Sequence, residues 1–171
     1  MGTQDSGERL AGRVTVVTGA TSGSGRAIAR RFVAEGAHVV ILARGEARLR
    51  DEAHRLGERA LAIPTDVGDV AGVQGAFAEI GERFGRVDVL VNNAAVYRPC
   101  LVEELSDHDI ITQIHTNFLG PVLTCRAAIP LLRAAGGGDI VNTSSESTLD
   151  RSRCCRCTSP PRRHWKRSAA P

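Results

Sequence analysis

RVTVVTGATSGSG, residues 13–25, runs an apolar, β-branched stretch directly into a glycine-rich turn. A short run of Val and Thr that collapses into glycine has the pattern of a buried strand entering a tight turn. Helical spacing follows at once in Arg26–Glu35, with Ile28, Ala29, Phe32 and Val33 on one side and Gly36 as the stop. Strand, glycine turn and amphipathic helix in that order open a βαβ unit. In such a unit glycines let the backbone turn sharply and approach a pyrophosphate, while the free N–H groups at the helix start face the anion. Gly19, Gly23 and Gly25 are therefore expected to form a dinucleotide-phosphate loop. Ser22 and Ser24 either add hydroxyl donors to the phosphate or serve only as turn formers.

Outward from this unit the alternation continues. His38–Ala43 (HVVILA), Ala60–Pro64 (ALAIP), Val87–Val91 (VDVLV) and Asp139–Thr143 (DIVNT) are expected strands after Arg13–Thr18. Glu46–Leu56 and Val70–Phe84 are expected helices, and a long helix is expected from Asp107 to Leu132, bent at Pro121. Strands apolar on both faces and separated by helices predict an α/β fold, a doubly wound parallel sheet of Rossmann type. Ligands in such sheets bind beyond the carboxyl ends of the strands.

The residues in those positions carry chemistry. After the second strand stands Arg44, where selection of an unphosphorylated ribose favours an acid; an arginine suits a 2′-phosphate through bidentate, charge-assisted contacts, and otherwise is a solvated surface charge. The missing acid tilts the reading toward NADP over NAD. After the third strand, Asp66 and Val67 are placed to meet an adenine, the acid accepting from its amino group. After the fourth, Asn92-Asn93-Ala94-Ala95 offers small side chains against which a ring can lie, and amides that can tie neighbouring loops together.

Composition bounds the rest. At 171 residues and 42% hydrophobic content the chain can bury one substantial core. The formal net charge of +3 arises from Arg151, Arg153, Arg156, Arg162, Arg163, Lys166 and Arg167, without which the body is acidic. Specific nucleic-acid binding is therefore not expected, and the basic run can bind polyanions only weakly, by charge. The division expected is a flexible N-terminus (1–12), a dinucleotide-binding domain (13–149), and an aberrant basic tail rich in Cys and Pro (150–171). Cys154, Cys155 and Cys157 read as exposed thiols rather than a zinc site or a disulfide framework. No stretch approaches the ~20 apolar residues of a membrane span, so no membrane partner and a reducing cytoplasm are expected.

TGATSGSG, the Asp66-Val67 pair, NNAA, Asn117 within HTNFLG, and IVNTSS together resemble, in order and spacing, the single-domain branch of the short-chain dehydrogenase/reductase family. The glycine spacing disfavours the alternative of a nucleotide-sugar epimerase of the larger branch. The resemblance implies a nicotinamide cofactor, hydride transfer between it and a small alcohol or ketone, and homo-oligomers. Residue by residue it makes Gly19, Gly23 and Gly25 the phosphate loop, Asn93 a cofactor-side asparagine with Ala94 beside it, Asn117 part of a proton relay, and Ser145 the serine that orients the substrate oxygen. Ala95 stands where the family usually has glycine.

One departure concerns the reaction. A carbinol gives up hydride only if its proton also leaves, and in this family a tyrosinate, its pKa lowered by a lysine, takes that proton. The pattern is Tyr, three residues, Lys, about a dozen residues after the serine. Here those positions hold Thr158 and Arg162, and Tyr97 is the single tyrosine. Reading the codons of residues 157–170 from each third base forces Leu at His164-Trp165 and Glu at Trp165-Lys166. It permits Tyr at Cys157-Thr158 and Lys four residues on. The tail is thus expected to be a shifted reading frame that begins between about Thr148 and Cys154. The sheet is expected to be incomplete on its C-terminal side, with one face near the fifth strand uncovered. The chain is therefore expected to be an oxidoreductase of this family crippled by loss of the Tyr-x-x-x-Lys base and inactive as it stands; a non-catalytic dinucleotide-binding remnant and a non-functional frameshift product are the alternatives.

Overall fold

The computed structural model describes residues 8–145. The shifted frame, the thiol cluster and positions 158 and 162 lie outside the described residues, as does most of the N-terminal segment. Five strands, β1 (Val14–Thr18), β2 (His38–Ala43), β3 (Ala60–Pro64), β4 (Val89–Asn92) and β5 (Asp139–Asn142), form one parallel sheet in the order β3-β2-β1-β4-β5. Val16 of β1 sits between Val40 of β2 and Leu90 of β4.

Alternation along the strands sorts the core into two layers. Val16, Val40, Leu42 and Leu90 face α3 (Val70–Phe84) and α5 (Gly120–Ala134), where Val73, Phe77, Ile80, Leu123 and Leu132 meet them. Val17, Val39, Ile41, Val89 and Val91 face α1 (Gly23–Ala34) and α2 (Glu46–Leu56), packing on Ala29 and Leu49. Every residue of β1 is buried, as expected for a strand covered on both faces. Each such Val, Leu or Ile contributes about 1.5–3 kcal/mol of burial.

Two expected elements differ. α1 begins at Gly23 rather than Arg26, so the second half of the glycine loop already forms the first helical turn. The long helix is three pieces: α4 (Asp107–Ile114), a π-helical turn at His115–Leu119, and α5, which runs on to Ala134. The cause is Pro121, which has no N–H for an α-type bond four residues back. The backbone widens just before it, and the Gly120 N–H reaches His115 O, five residues back.

Candidate functional site

The chain leaves β1 toward β2 and leaves β3 toward β4, so the crevice between the carboxyl ends of β1 and β4 is the point where the strand order reverses. Thr18, at the end of β1, is 1% exposed. Its Oγ1 accepts from the Asn93 N–H at 3.0 Å and the Ala94 N–H at 2.9 Å, and the Asn93 amide donates to Thr18 O at 3.2 Å. These bonds fasten the loop after β4 to the loop after β1.

The fastening leaves room for nothing larger than hydrogen at two glycines. A Cβ on Gly25 would lie 2.4 Å from Asn93 Nδ2 and 2.5 Å from Gly19 O. One on Gly19 would lie 2.8 Å from Ala94 Cα, at a φ of +67° that side chains rarely adopt. Gly23 differs, because a Cβ there would meet nothing within 4 Å, and the residue lines a cavity of about 420 Å³. The three glycines thus divide the work: Gly19 and Gly25 let protein approach protein, and Gly23 leaves the cavity wall bare.

Two helix starts at this cavity lack the side-chain cap that α3 and α4 have. At α3 the Asp69 carboxylate accepts from the Gly72 N–H at 2.7 Å, and at α4 the Ser106 hydroxyl accepts from the Asp109 N–H at 3.1 Å. At α1 the N-cap Ser22 is extended and its side chain caps nothing; at α2 the N-cap is Gly45. Both uncapped starts open on the cavity, through Ser22, Gly23 and Ser24 on one side and Gly45 and Arg48 on the other. Unsatisfied N–H donors at the positive ends of two helices make an anion cradle.

Arg44, Asp66, Val67, Asn93 and Ala94, each singled out in the sequence, line the same cavity. Asp66 Oδ1 accepts from the Gly68 N–H at 2.9 Å. Val67 is 5% exposed and also packs where a Cβ on Gly120 would lie 2.9 Å from its Cγ2, so it both walls the cavity and seats α5. Gly25, Asn117 and Ser145 are not among the lining residues. Sequence reasoning did not single out Thr18, Arg48 or Thr116. Thr18 gave no signal, since its role depends on β1 pairing with β4. Arg48 is legible as the residue one helical turn past Arg44.

Asn117 sits in the π-helical turn, with its Oδ1 accepting from the Val96 N–H and its Nδ2 donating to Val96 O, both at 2.8 Å. It thereby clamps the segment that leaves β4. Ser145 is exposed and follows β5 by three residues. Its approach is set one turn earlier by a polar pin: Asn92 Nδ2 donates to Asn142 Oδ1 at 2.9 Å, the Thr124 hydroxyl donates to Asn92 Oδ1 at 2.7 Å, and the Thr143 N–H donates to Asn92 O at 2.9 Å. On α4 the Ser106 hydrogen bond, with the charge of Arg98, outweighs desolvation and holds the Asp109 carboxyl below its ordinary range. Among the described residues no group of three His, Cys, Asp or Glu is arranged to hold a metal, and no helix is long and apolar enough to cross a membrane.

The family described as short chain dehydrogenase matches residues 13–156. A 3-oxoacyl-[acyl-carrier-protein] reductase of Bos taurus is 40% identical over 133 residues, 78% of this chain and 56% of that protein. The L-sorbose reductase of Gluconobacter frateurii, solved with NADPH and L-sorbose, superposes with a TM-score of 0.79 at 34% identity, covering 83% of this chain and 56% of that one. A metagenomic short-chain oxidoreductase solved with NADP gives a TM-score of 0.74 at 35% identity, over 80% of this chain and 63% of that one. The chain spans about half the length of the curated relatives it matches.

Proposed function

The chain belongs to the short-chain dehydrogenase family, and from that premise we propose that residues 13–149 form a dinucleotide-binding unit whose cavity takes a nicotinamide cofactor, with NADP(H) preferred to NAD(H). The observation that carries this reading is the pair of uncapped helix starts facing one cavity, with Arg44 where an acid would accept ribose hydroxyls. The residues fit such a group: the Gly23 wall is bare, and the N–H groups of the first turn of α1 are available to a pyrophosphate. Asp66 and Val67 suit the adenine edge. The bound cofactor would supply or accept the hydride. Asn93 and Ala94 keep the loop wall in place beneath its ring, and Ser145 holds the oxygen of an alcohol or ketone, with Asn117 ordering the segment beside it.

For the 171-residue chain the same reading is binding without turnover. Neither Ser145 nor Asn117 can act as the base at neutral pH. Tyr97 stands between β4 and α4 rather than on a helix after Ser145, and Lys166 is the single lysine. Cys100 and Cys125, both free thiols, accord with the cytoplasm as the site of action.

Calorimetric titration with the two cofactors tests the preference. NADP is expected to bind more tightly than NAD, and Arg44→Asp to reverse or abolish the difference, which a charge-assisted bidentate contact sets at about 1.5–3 kcal/mol, roughly ten- to a hundredfold. Equal affinities in the unmodified chain would refute it.

A further inference from the structure

The sheet has two edges, β3 and β5, and they are finished differently. Along a strand, successive residues turn their N–H and C=O groups alternately to one side and the other, so each bond to the inner neighbour identifies which residues face out. On β3 the Thr65 N–H reaches Ala43 O at 2.9 Å, which turns Ala60, Ala62 and Pro64 outward. Pro64 has no N–H, and the Ala60 N–H is already taken by Gly57 O at 3.0 Å. That edge is blunted. On β5 the Asp139 N–H reaches Asp88 O and the Thr143 N–H reaches Asn92 O, both at 2.9 Å, which turns Ile140 and Asn142 outward. Neither of their N–H groups has a partner among the described residues, and no Pro, Gly or Lys stands in Asp139–Asn142 to guard the edge.

An open edge of this kind is a template for another strand. The sequence of residues 146–171 supplies no match for it: Leu149 and Trp165 are its large apolar residues, Lys and Arg recur through it, Pro160 and Pro161 interrupt it, and apolar and polar positions do not alternate. β5 is its own complement. Laid antiparallel about a two-fold axis through Val141, Ile140 of one copy faces Asn142 of the other, and each such pair exchanges its outward N–H and C=O groups. Val141 then meets Val141 of the second copy as the closer, non-hydrogen-bonded pair, and Asp139 falls opposite Thr143, so no like charges oppose each other. Ile140 and Val141, both exposed, lose surface to the second copy. We propose that β5 is a docking edge for a second copy of this chain, joining the two sheets into one continuous sheet. Because the axis occupies β5 on both copies and β3 is blunted, the assembly closes at the dimer instead of growing. The contact is small, so the dimer forms reversibly.

Sedimentation velocity of the full chain, from micromolar to submillimolar concentration, is expected to show the monomer giving way to a species of twice its mass and to nothing larger. Val141→Lys sets like charges against each other on the axis and should abolish the dimer, as should Val141→Glu. Mixing the two variants should restore a dimer, a rescue that loss of folding would not produce. Val141 is half-exposed, and an unchanged melting temperature checks that each variant keeps its fold. Phe118→Lys, on the exposed side of the π-helical turn, should leave the dimer intact. A chain that stays monomeric at every concentration, or a ladder of larger species, overturns the proposal. So does a mixture of the two Val141 variants that stays monomeric, which takes Val141 off the axis. A dimer lost with Phe118→Lys but kept with Val141→Lys overturns it too, by moving the contact to the helices.

Discussion

At the carboxyl ends of β1 and β2 the chain is folded in on itself, with Thr18, Asn93 and Gly25 in atom-to-atom contact and two helix starts turned into one cavity. At β5 the chain is open. All four of its residues are exposed, and Ile140 and Val141 retain 37% and 49% of their surface. Among the described residues β5 pairs with β4 alone. The difference teaches that, on the proposed reading, holding a dinucleotide and moving a proton fall to separate parts of the sheet. The cavity is lined by residues between Gly19 and Thr116, while Ser145 stands on the side that is exposed.

The largest effect is expected from completing the open side. Replacing the tail with its shifted reading, Tyr near position 158 and Lys four residues on, should raise ketone reduction by at least the ~10²–10⁴-fold that acid–base help contributes. Ser145→Ala in that variant should then remove most of the gain, as measured by NADPH consumption. No gain on restoration would separate the open strand from catalysis altogether.

Breaking the closed side comes next. Gly25→Val puts branched carbon where even a Cβ falls 2.4 Å from Asn93 Nδ2. It should abolish nucleotide binding and lower stability by about 1–3 kcal/mol as the two loops are forced apart. Gly23→Ala, with open space around it but a φ of +53°, should weaken binding with a smaller loss of melting temperature. Equal stability losses for the two variants would show that the glycines do not divide the work as described.

Much of this was legible in the sequence, for a physical reason. Strands buried on both faces have to be apolar throughout, so β1 to β4 announced themselves, and a turn beside an anion needs glycine whatever else surrounds it. What failed to show was whatever depends on contacts between strands distant in the chain. Thr18 looks like one more β-branched strand residue until β4 is laid beside it. The hold of Asn117 on Val96, through both atoms of its side-chain amide, likewise depends on the segment after β4 and gave no signal in the spacing. The break in the long helix was half visible: Pro121 marked the place, but nothing in the spacing distinguished a bend from a π-helical turn.

A third variable acts on both sides at once, from the opposite end of the sheet. Asp88, 4% exposed, accepts from the Val14 N–H at 2.9 Å and pairs with Arg86. Burial pushes its carboxyl up, but the Arg86 and Val14 hydrogen bonds and the charges of Arg86 and Arg13 outweigh that and hold it below the ordinary value. A carboxyl lowered in the folded state contributes stability that is present above its unfolded pKa and is lost as pH falls through the folded one. The melting temperature should therefore fall on acidification, and Asp88→Asn should flatten that dependence. Of the changes considered this is the smallest, and it should move both regions together, since neither site contains Asp88.

The central claim, a finished dinucleotide site beside an unfinished catalytic side, is tested most directly in one cuvette. The 171-residue chain is titrated into NADPH while cofactor fluorescence is followed, and small ketones are then added while absorbance is recorded. The account predicts a saturable fluorescence change, competed by NADP and abolished by Gly25→Val, with no loss of NADPH absorbance after the ketones are added. Steady ketone-dependent NADPH oxidation by the unmodified chain, or no saturable fluorescence change at all, would contradict it.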